Sequence, residues 1–209
     1  MKEIQVETFV LGPLETNSYL LTAGSDAVVI DCGMDPDPML QAIRERGLNV
    51  HSIYLTHMHL DHIGGVGLLR ELTGATVYGN LDDIYLNDVP LKDGGSLEFK
   101  KQLNFEITDI KQGRKTILDN PVMIIGTPGH TPGSLSYFFP AQNFIFVGDL
   151  LFMISVGRTD LPGGNSDELL SSIKNRIFIL PGQTQIFSGH GPMTTVKHEL
   201  RNNPFFIDK

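Results

Sequence analysis

Hydrophobic and polar positions alternate along residues 4–10, with Ile4, Val6, Thr8 and Val10 on one face and Gln5, Glu7 and Phe9 on the other. A period of two predicts a strand with one buried face. Two apolar runs, 18–22 and 27–31, flank Gly24-Ser25-Asp26 and predict a hairpin of buried strands. The period then changes. Asp35-Pro36 marks a helix start with an N-cap acid, Met39, Leu40 and Ile43 form one apolar face, and Gly47 ends it. A strand at 52–56 precedes a second helix, built on Val66, Leu69 and Leu72 and stopped by Gly74. Residues 80–95 are acidic and irregular, and read as a surface connection or as a short helix and mobile loop beside a site. From residue 105 strands dominate, at 105–110, 115–118, 122–126, 135–139 and 144–148. Ser166 predicts the cap of a third helix, with Asp167 and Glu168 in its first turn and Leu169, Leu170, Ile173 and Ile177 as its buried stripe. A strand at 184–187 and a short helix from Thr194 or Thr195 complete the pattern. Strands with interspersed helices in both halves support an α/β or α+β fold; two sheets covered by outer helices would bury such stripes, but pattern alone does not fix the topology.

Composition narrows the function class. The 209 residues suit one domain, 1–209, and no linker, repeat or low-complexity run divides them. With 41% apolar and 19% charged residues, the chain is globular rather than disordered. A net charge of −8 lacks the footprint of a general nucleic-acid binder. No apolar run approaches the ~18 residues of a membrane span. The start, with Glu3 and Glu7 and no apolar core, predicts no secretion signal. Cys32 is the single cysteine, which excludes an internal disulfide and fits a reducing cytoplasm.

The seven histidines change the picture. His57-Met58-His59-Leu60-Asp61-His62 offers four ligands within six residues, between a predicted strand and a predicted helix. Imidazole and carboxylate suit zinc, iron or manganese. In extended chain, positions i and i+2 point the same way, so His57 and His59 can clamp one ion. Asp61 and His62 emerge at the turn and can face a second, with Met58 and Leu60 directed into apolar packing. Gly129-His130-Thr131-Pro132-Gly133, Gly148-Asp149 and Gly189-His190-Gly191 each place a further ligand type at a predicted strand end. Ligands carried by strand-end loops on a rigid scaffold are what a catalytic metal site requires.

These motifs, in this order, resemble the metallo-β-lactamase fold superfamily over nearly the whole chain, and more closely its glyoxalase II-like hydrolases. The resemblance implies an α+β, four-layer αββα sandwich with the site at the sheet edges. It implies two divalent metal ions, zinc first with iron or manganese as alternatives. His57, His59 and His130 would bind one, Asp61, His62 and His190 the other, and Asp149 would bridge them. The leading expectation is hydrolysis of a small-molecule thioester such as S-lactoylglutathione. Hydroxide shared by the two metals would attack the acyl carbon, and Asp61 would orient or accept its proton. Typical glyoxalase II enzymes have a further helical C-terminal region, whereas 19 residues follow His190 here.

Residues 157–164 resemble the shorter single-domain glyoxalase II-like proteins and also the persulfide dioxygenases. The latter family implies one ferrous ion on His57, His130 and Asp149. A binding module that keeps metal without catalysis is a third reading. β-Lactam-cleaving relatives fit less well, because they generally lack the bridging acid that Asp149 would supply. Arg158 either pairs with a substrate carboxylate or forms a salt bridge with Asp160 or Asp149. Cys32 is expected to be a small buried filler, Tyr54 core, and His51 and His198 surface residues. Tyr85 is a candidate to reach substrate from the irregular segment. Phe205-Phe206 is expected to act as a terminal clasp or a dimer contact.

Overall fold

The computed structural model describes residues 2–89 and 105–207. Its main strands form two six-stranded sheets. In the first, β1 (Gln5–Leu11), β2 (Thr16–Ala23), β3 (Asp26–Ile30), β4 (Asn49–Tyr54), β5 (Thr76–Gly79) and β6 (Ile107–Asp109) lie in chain order. β1 to β3 are antiparallel and β3 to β6 parallel. Parallel steps require crossovers, and the first two are supplied by helix α1 (Asp37–Glu45) and by α2 (Leu60–Ile63) with α3 (Val66–Thr73).

The second sheet is built from β7 (Gly113–Ile117), β8 (Asn120–Gly126), β9 (Leu135–Phe139), β10 (Phe144–Gly148), β13 (Gln185–Ser188) and β14 (Thr194–Thr195). Only β10 and β13 pair parallel within it. Their crossover holds a hairpin of β11 (Leu151–Phe152) and β12 (Ser155–Val156), then helix α4 (Ser166–Ser172), which continues into a π turn (Ile173–Ile177). Helix α5 (Val196–Asn202) follows β14.

The sheets stack face to face because their strands are apolar on both sides. Tyr19, Leu21 and Tyr54 of the first sheet meet Tyr137, Phe139, Phe144 and Phe146 of the second. The alternate residues Leu20, Val29 and Ile53 face Met39, Ile43, Val66 and Leu69 of α1 and α3. On the far side Ile145, Val147 and Ile186 face Leu169, Ile173, Ile177 and Val196. Helix, sheet, sheet and helix therefore form the four-layer αββα sandwich, an α+β fold.

Several local expectations change. Asn165, not Ser166, caps α4, its side chain accepting from the amides of Asp167 and Glu168. Asp35 makes no cap: it has a left-handed φ of 54°, and Pro36 takes the N-cap position. Val10 is 61% exposed although it belongs to the predicted buried face, because β1 is an edge strand beside only β2. The short strands β5, β11, β12 and β14 carry too few residues to show a period. Of the irregular 80–95 segment, Leu81–Asp88 is a 3-10 helix and residues 90–95 lie outside the described residues. Phe206 packs on Phe178 at 4.8 Å while Phe205 stays half exposed, which fits a terminal clasp.

Candidate metal centre

Strand-end loops and the short helix that follows one of them bring all seven predicted ligands to one edge of the sandwich. Beyond β4 the chain bends at Thr56, is extended at His59 and then turns into α2, which carries Asp61 and His62. His130 lies in the loop between β8 and β9, Asp149 directly after β10, and His190 two residues past the end of β13. Gly148 adopts φ +54°, at a shift in the β10–β13 register, and a Cβ there would lie 2.7 Å from Thr56 Cβ. Only glycine allows this bend, which turns Asp149 toward the histidines.

Three groups bring their ligand atoms within 4.8 Å of one another: His57–His59–His130, His57–His62–Asp149 and Asp61–His62–His190. His59 Nδ1 and His130 Nε2 are 2.8 Å apart. Asp149 lies between the halves, with Oδ1 3.3 Å from His62 Nε2 and Oδ2 3.7 Å from His130 Nε2 and 3.6 Å from His190 Nε2. Asp61 Oδ2 is 3.2 Å from His190 Nε2. Met58 and Leu60 point into the α1/α3 core, as the alternation predicts.

Sequence reasoning missed the groups that orient these ligands. Asp31, buried at the end of β3, accepts from the Thr56 amide at 2.8 Å and the Thr56 hydroxyl at 2.7 Å, and its Oδ2 lies 2.8 Å from His62 Nδ1. That contact leaves His62 Nε2 for the centre. The Thr16 hydroxyl donates to Asp61 Oδ2 at 3.0 Å. His130 Nδ1 lies 2.8 Å from the Arg158 carbonyl, which accepts its proton and leaves Nε2 for the centre. The signal for Asp31 was an acid closing a buried strand. Thr16 had none, because its contact spans 45 residues.

The donor set fits metal. His57 Nε2, His59 Nε2, His62 Nε2 and Asp149 Oδ1 are buried with no hydrogen-bond partner among the described residues. Buried polar atoms of this kind call for a partner. Nitrogen and oxygen donors without thiolate suit zinc, iron or manganese. Buried Cys32 adds no thiolate, since burial pushes its pKa up.

Without metal the histidines divide in two. Burial, reinforced by neighbouring imidazoles, holds His57 well below 6.5 and lowers His59 to about 3. Burial opposes charge on His62 and His190 too, but Asp61 and Asp149 outweigh it and raise both. Those histidines in turn lower both carboxylates against burial. Below about pH 6.5 the unfolded chain protonates His57 and His59 while the native chain does not, so acid destabilises. Above it, the unfolded chain releases the protons of His62 and His190 while the native chain keeps them, so base destabilises as well. The melting temperature of chelator-treated protein is therefore expected to peak at about pH 6.5. A monotonic profile from pH 5 to 8 would contradict this division.

A cleft of about 520 Å³ opens onto the centre. Leu14, Phe152, Val156 and Leu161 give it apolar walls, with Ser155 and Arg158 among its polar groups. The Arg158 fork is engaged by Asp160, through Nε and Nη2 at 2.7 Å each. Tyr85 does not line the cleft and instead donates to the Pro162 carbonyl. Tyr54 is core. His51 pairs with Asp26 on the surface, and His198 is exposed on α5.

The chain is similar to known proteins over most of its length. The sequence profile of the Metallo-beta-lactamase superfamily matches residues 11–190. The chain is 36% identical over 198 residues to a probable metallo-hydrolase, YqgX, of Bacillus subtilis, covering 93% of this chain and 94% of that protein. It is 34% identical over 196 residues to the hydroxyacylglutathione hydrolase GloC of Haemophilus influenzae, covering 88% and 89%. Among solved structures, the BLEG-1 B3 metallo-beta-lactamase superposes with a TM-score of 0.85 at 35% identity, over 98% of this chain and all of that one. TTHA1623 in a di-iron-bound form superposes with a TM-score of 0.83 at 35% identity, over 96% and 100%.

Proposed function

The chain belongs to the Metallo-beta-lactamase superfamily, and from that premise we propose that it is a binuclear metal-dependent hydrolase of small-molecule thioesters, with S-lactoylglutathione the first substrate to test. One observation carries the proposal: Asp149 stands between two three-residue pockets, within 4 Å of His62, His130 and His190. His57, His59 and His130 would hold one ion, Asp61, His62 and His190 the second, and Asp149 would bridge them. The di-iron form of TTHA1623 and the name of GloC support, respectively, two metals and a thioester.

Bound there, divalent ions, zinc first and iron or manganese as alternatives, supply Lewis acidity and a water ionised near neutral pH. The chain supplies orientation. Asp61, steadied by Thr16, lines the cleft beside His190 and would accept or orient the water's proton. Leu14, Phe152, Val156 and Leu161 would receive the acyl group and exclude bulk water. Arg158 is the cation for a substrate carboxylate, and Asp160 competes for its fork. A thiolate leaves readily, so the chemistry needs no strong acid on the leaving-group side. The proposal treats the chain as one domain acting on a small molecule, without nucleic acid or membrane, in the cytoplasm, where Cys32 stays a thiol. Among the described residues no helix is long and apolar enough to cross a membrane.

The resemblance to BLEG-1 favours a second reading, β-lactam hydrolysis, at the same centre. Metal per chain is measured on protein purified without added metal or chelator, then kcat/KM on S-lactoylglutathione and a chromogenic cephalosporin. About two ions per chain and a thioester preference of at least about tenfold, or 1.4 kcal/mol of transition-state binding, are expected. A β-lactam preference would replace the thioester reading. One iron per chain with oxygen uptake on glutathione persulfide would replace hydrolysis altogether.

A further inference from the structure

The segment Leu81–Asp88 buries a carboxylate that the reaction does not use. Asp83 is fully buried. Its Oδ2 accepts the Thr131 hydroxyl at 2.8 Å and its Oδ1 accepts the Gly133 amide at 2.6 Å. Both donors lie in the loop that carries His130. The fit requires glycine at 133, since a Cβ there would stand 2.6 Å from Asp83 Cγ. Two residues further along the segment, the Tyr85 hydroxyl donates to the Pro162 carbonyl at 2.7 Å. Pro162 belongs to the loop whose Arg158 carbonyl faces His130 Nδ1. One short helix therefore grips both loops that hold His130, and neither grip touches the cleft.

We propose that Asp83 is a positioning residue for His130, bolting the Thr131–Gly133 turn so that the imidazole keeps its place beside His59 and Asp149. The inference rests on the metal-hydrolase reading above. His130 has little room to move, with 2.8 Å to His59 Nδ1 and 3.7 Å to Asp149 Oδ2. Removing the carboxylate leaves the Gly133 amide buried without an acceptor, and the turn must shift to hydrate it. Asn at position 83 keeps an acceptor for the Gly133 amide, but its NH₂ can bond the Thr131 hydroxyl only if that hydroxyl turns its proton to Ser134 Oγ, 2.7 Å away, and the bonds lose their charge, so it restores only part of the grip.

The test uses the full chain and its Asp83→Ala, Asp83→Asn and Tyr85→Phe variants. Zinc affinity is read by chelator competition, and the coordination sphere by the visible spectrum of the cobalt-loaded protein. Expected are a loss of affinity of about tenfold in Asp83→Ala, at the lower end for residues that orient a ligand, with altered cobalt bands. Asp83→Asn should fall between that and wild type, and Tyr85→Phe should weaken binding by a smaller factor in the same direction. Lower melting temperatures with affinity within twofold and unchanged bands would mean a brace for the fold alone, and would overturn the proposal. If Asp83→Ala does not fold, Tyr85→Phe, which removes a single hydrogen bond, and Thr131→Val, which removes the bonds of Thr131 to Asp83 and Ser134, decide by the same two readings. Failure of wild type to take up metal would overturn the metal reading and this inference with it, whereas unchanged uptake in the variants overturns this inference alone.

Discussion

Asp149→Ala is expected to reduce thioester hydrolysis by about a thousandfold and to bring bound metal from about two ions per chain toward one. The carboxylate faces both pockets, 3.3 Å from His62 on one side and 3.7 Å from His130 on the other. The other carboxylate of the centre, Asp61, lies within 4 Å of His62 and His190 and so faces the second pocket alone. Metal stabilisation of transition-state charge is worth several kcal/mol, and about 4 kcal/mol corresponds to about three orders of magnitude in rate. The same change strips His62 and His190 of a negative neighbour, so both should titrate at lower pH in the metal-free variant. Mass spectrometry of metal content and steady-state kinetics check the prediction together. Two ions retained, with a rate loss below tenfold, would end the bridging role.

The second large effect lies outside the ligand set. Asp31→Ala is expected to destabilise the metal-free fold by about 3 kcal/mol and to weaken metal binding by about 10- to 100-fold. Asp31 is buried and takes hydrogen bonds from the Thr56 amide and hydroxyl, with His62 Nδ1 as its third contact. Each buried donor left without a partner costs about 1–3 kcal/mol. The Thr56 hydroxyl has a second neighbour in His57 Nδ1 at 3.1 Å, which limits the total. The metal effect has a different origin: without Asp31 the His62 ring is free to rotate and to change tautomer. Asp31→Asn separates the two contributions. It keeps an acceptor for Thr56 and should recover much of the stability, yet it offers His62 a neutral partner and should recover little of the affinity. Denaturant titration of the metal-free protein measures the first quantity and chelator competition the second. Equal recovery of both would show that Asp31 acts on the fold alone.

Much of this protein is legible in one dimension. The switch between periods of two and three to four located most of the long strands and helices, because those periods are local consequences of backbone geometry. The ligand types of the centre were legible too. His57, His59, Asp61 and His62 are neighbours in the chain, and His130, Asp149 and His190 each follow a strand beside a glycine. Residues that meet only across the fold were not legible. Asp31 reaches His62 over 31 residues, Thr16 reaches Asp61 over 45, and Asp83 reaches Thr131 over 48. Nothing periodic marks them, because each contact depends on which strand ends the two sheets place side by side. Arg158 shows the same limit in reverse. Its charge suggested either a substrate contact or a salt bridge with Asp160 or Asp149, and the structure set Asp160 in its fork. The sequence by itself therefore determined the longer elements and the chemical class of the centre, both of which follow from local spacing and residue type. Tertiary structure alone decided how each imidazole is oriented, which carboxylate stands between the two pockets and what holds the loops in place, because those depend on distances set by sheet order and register.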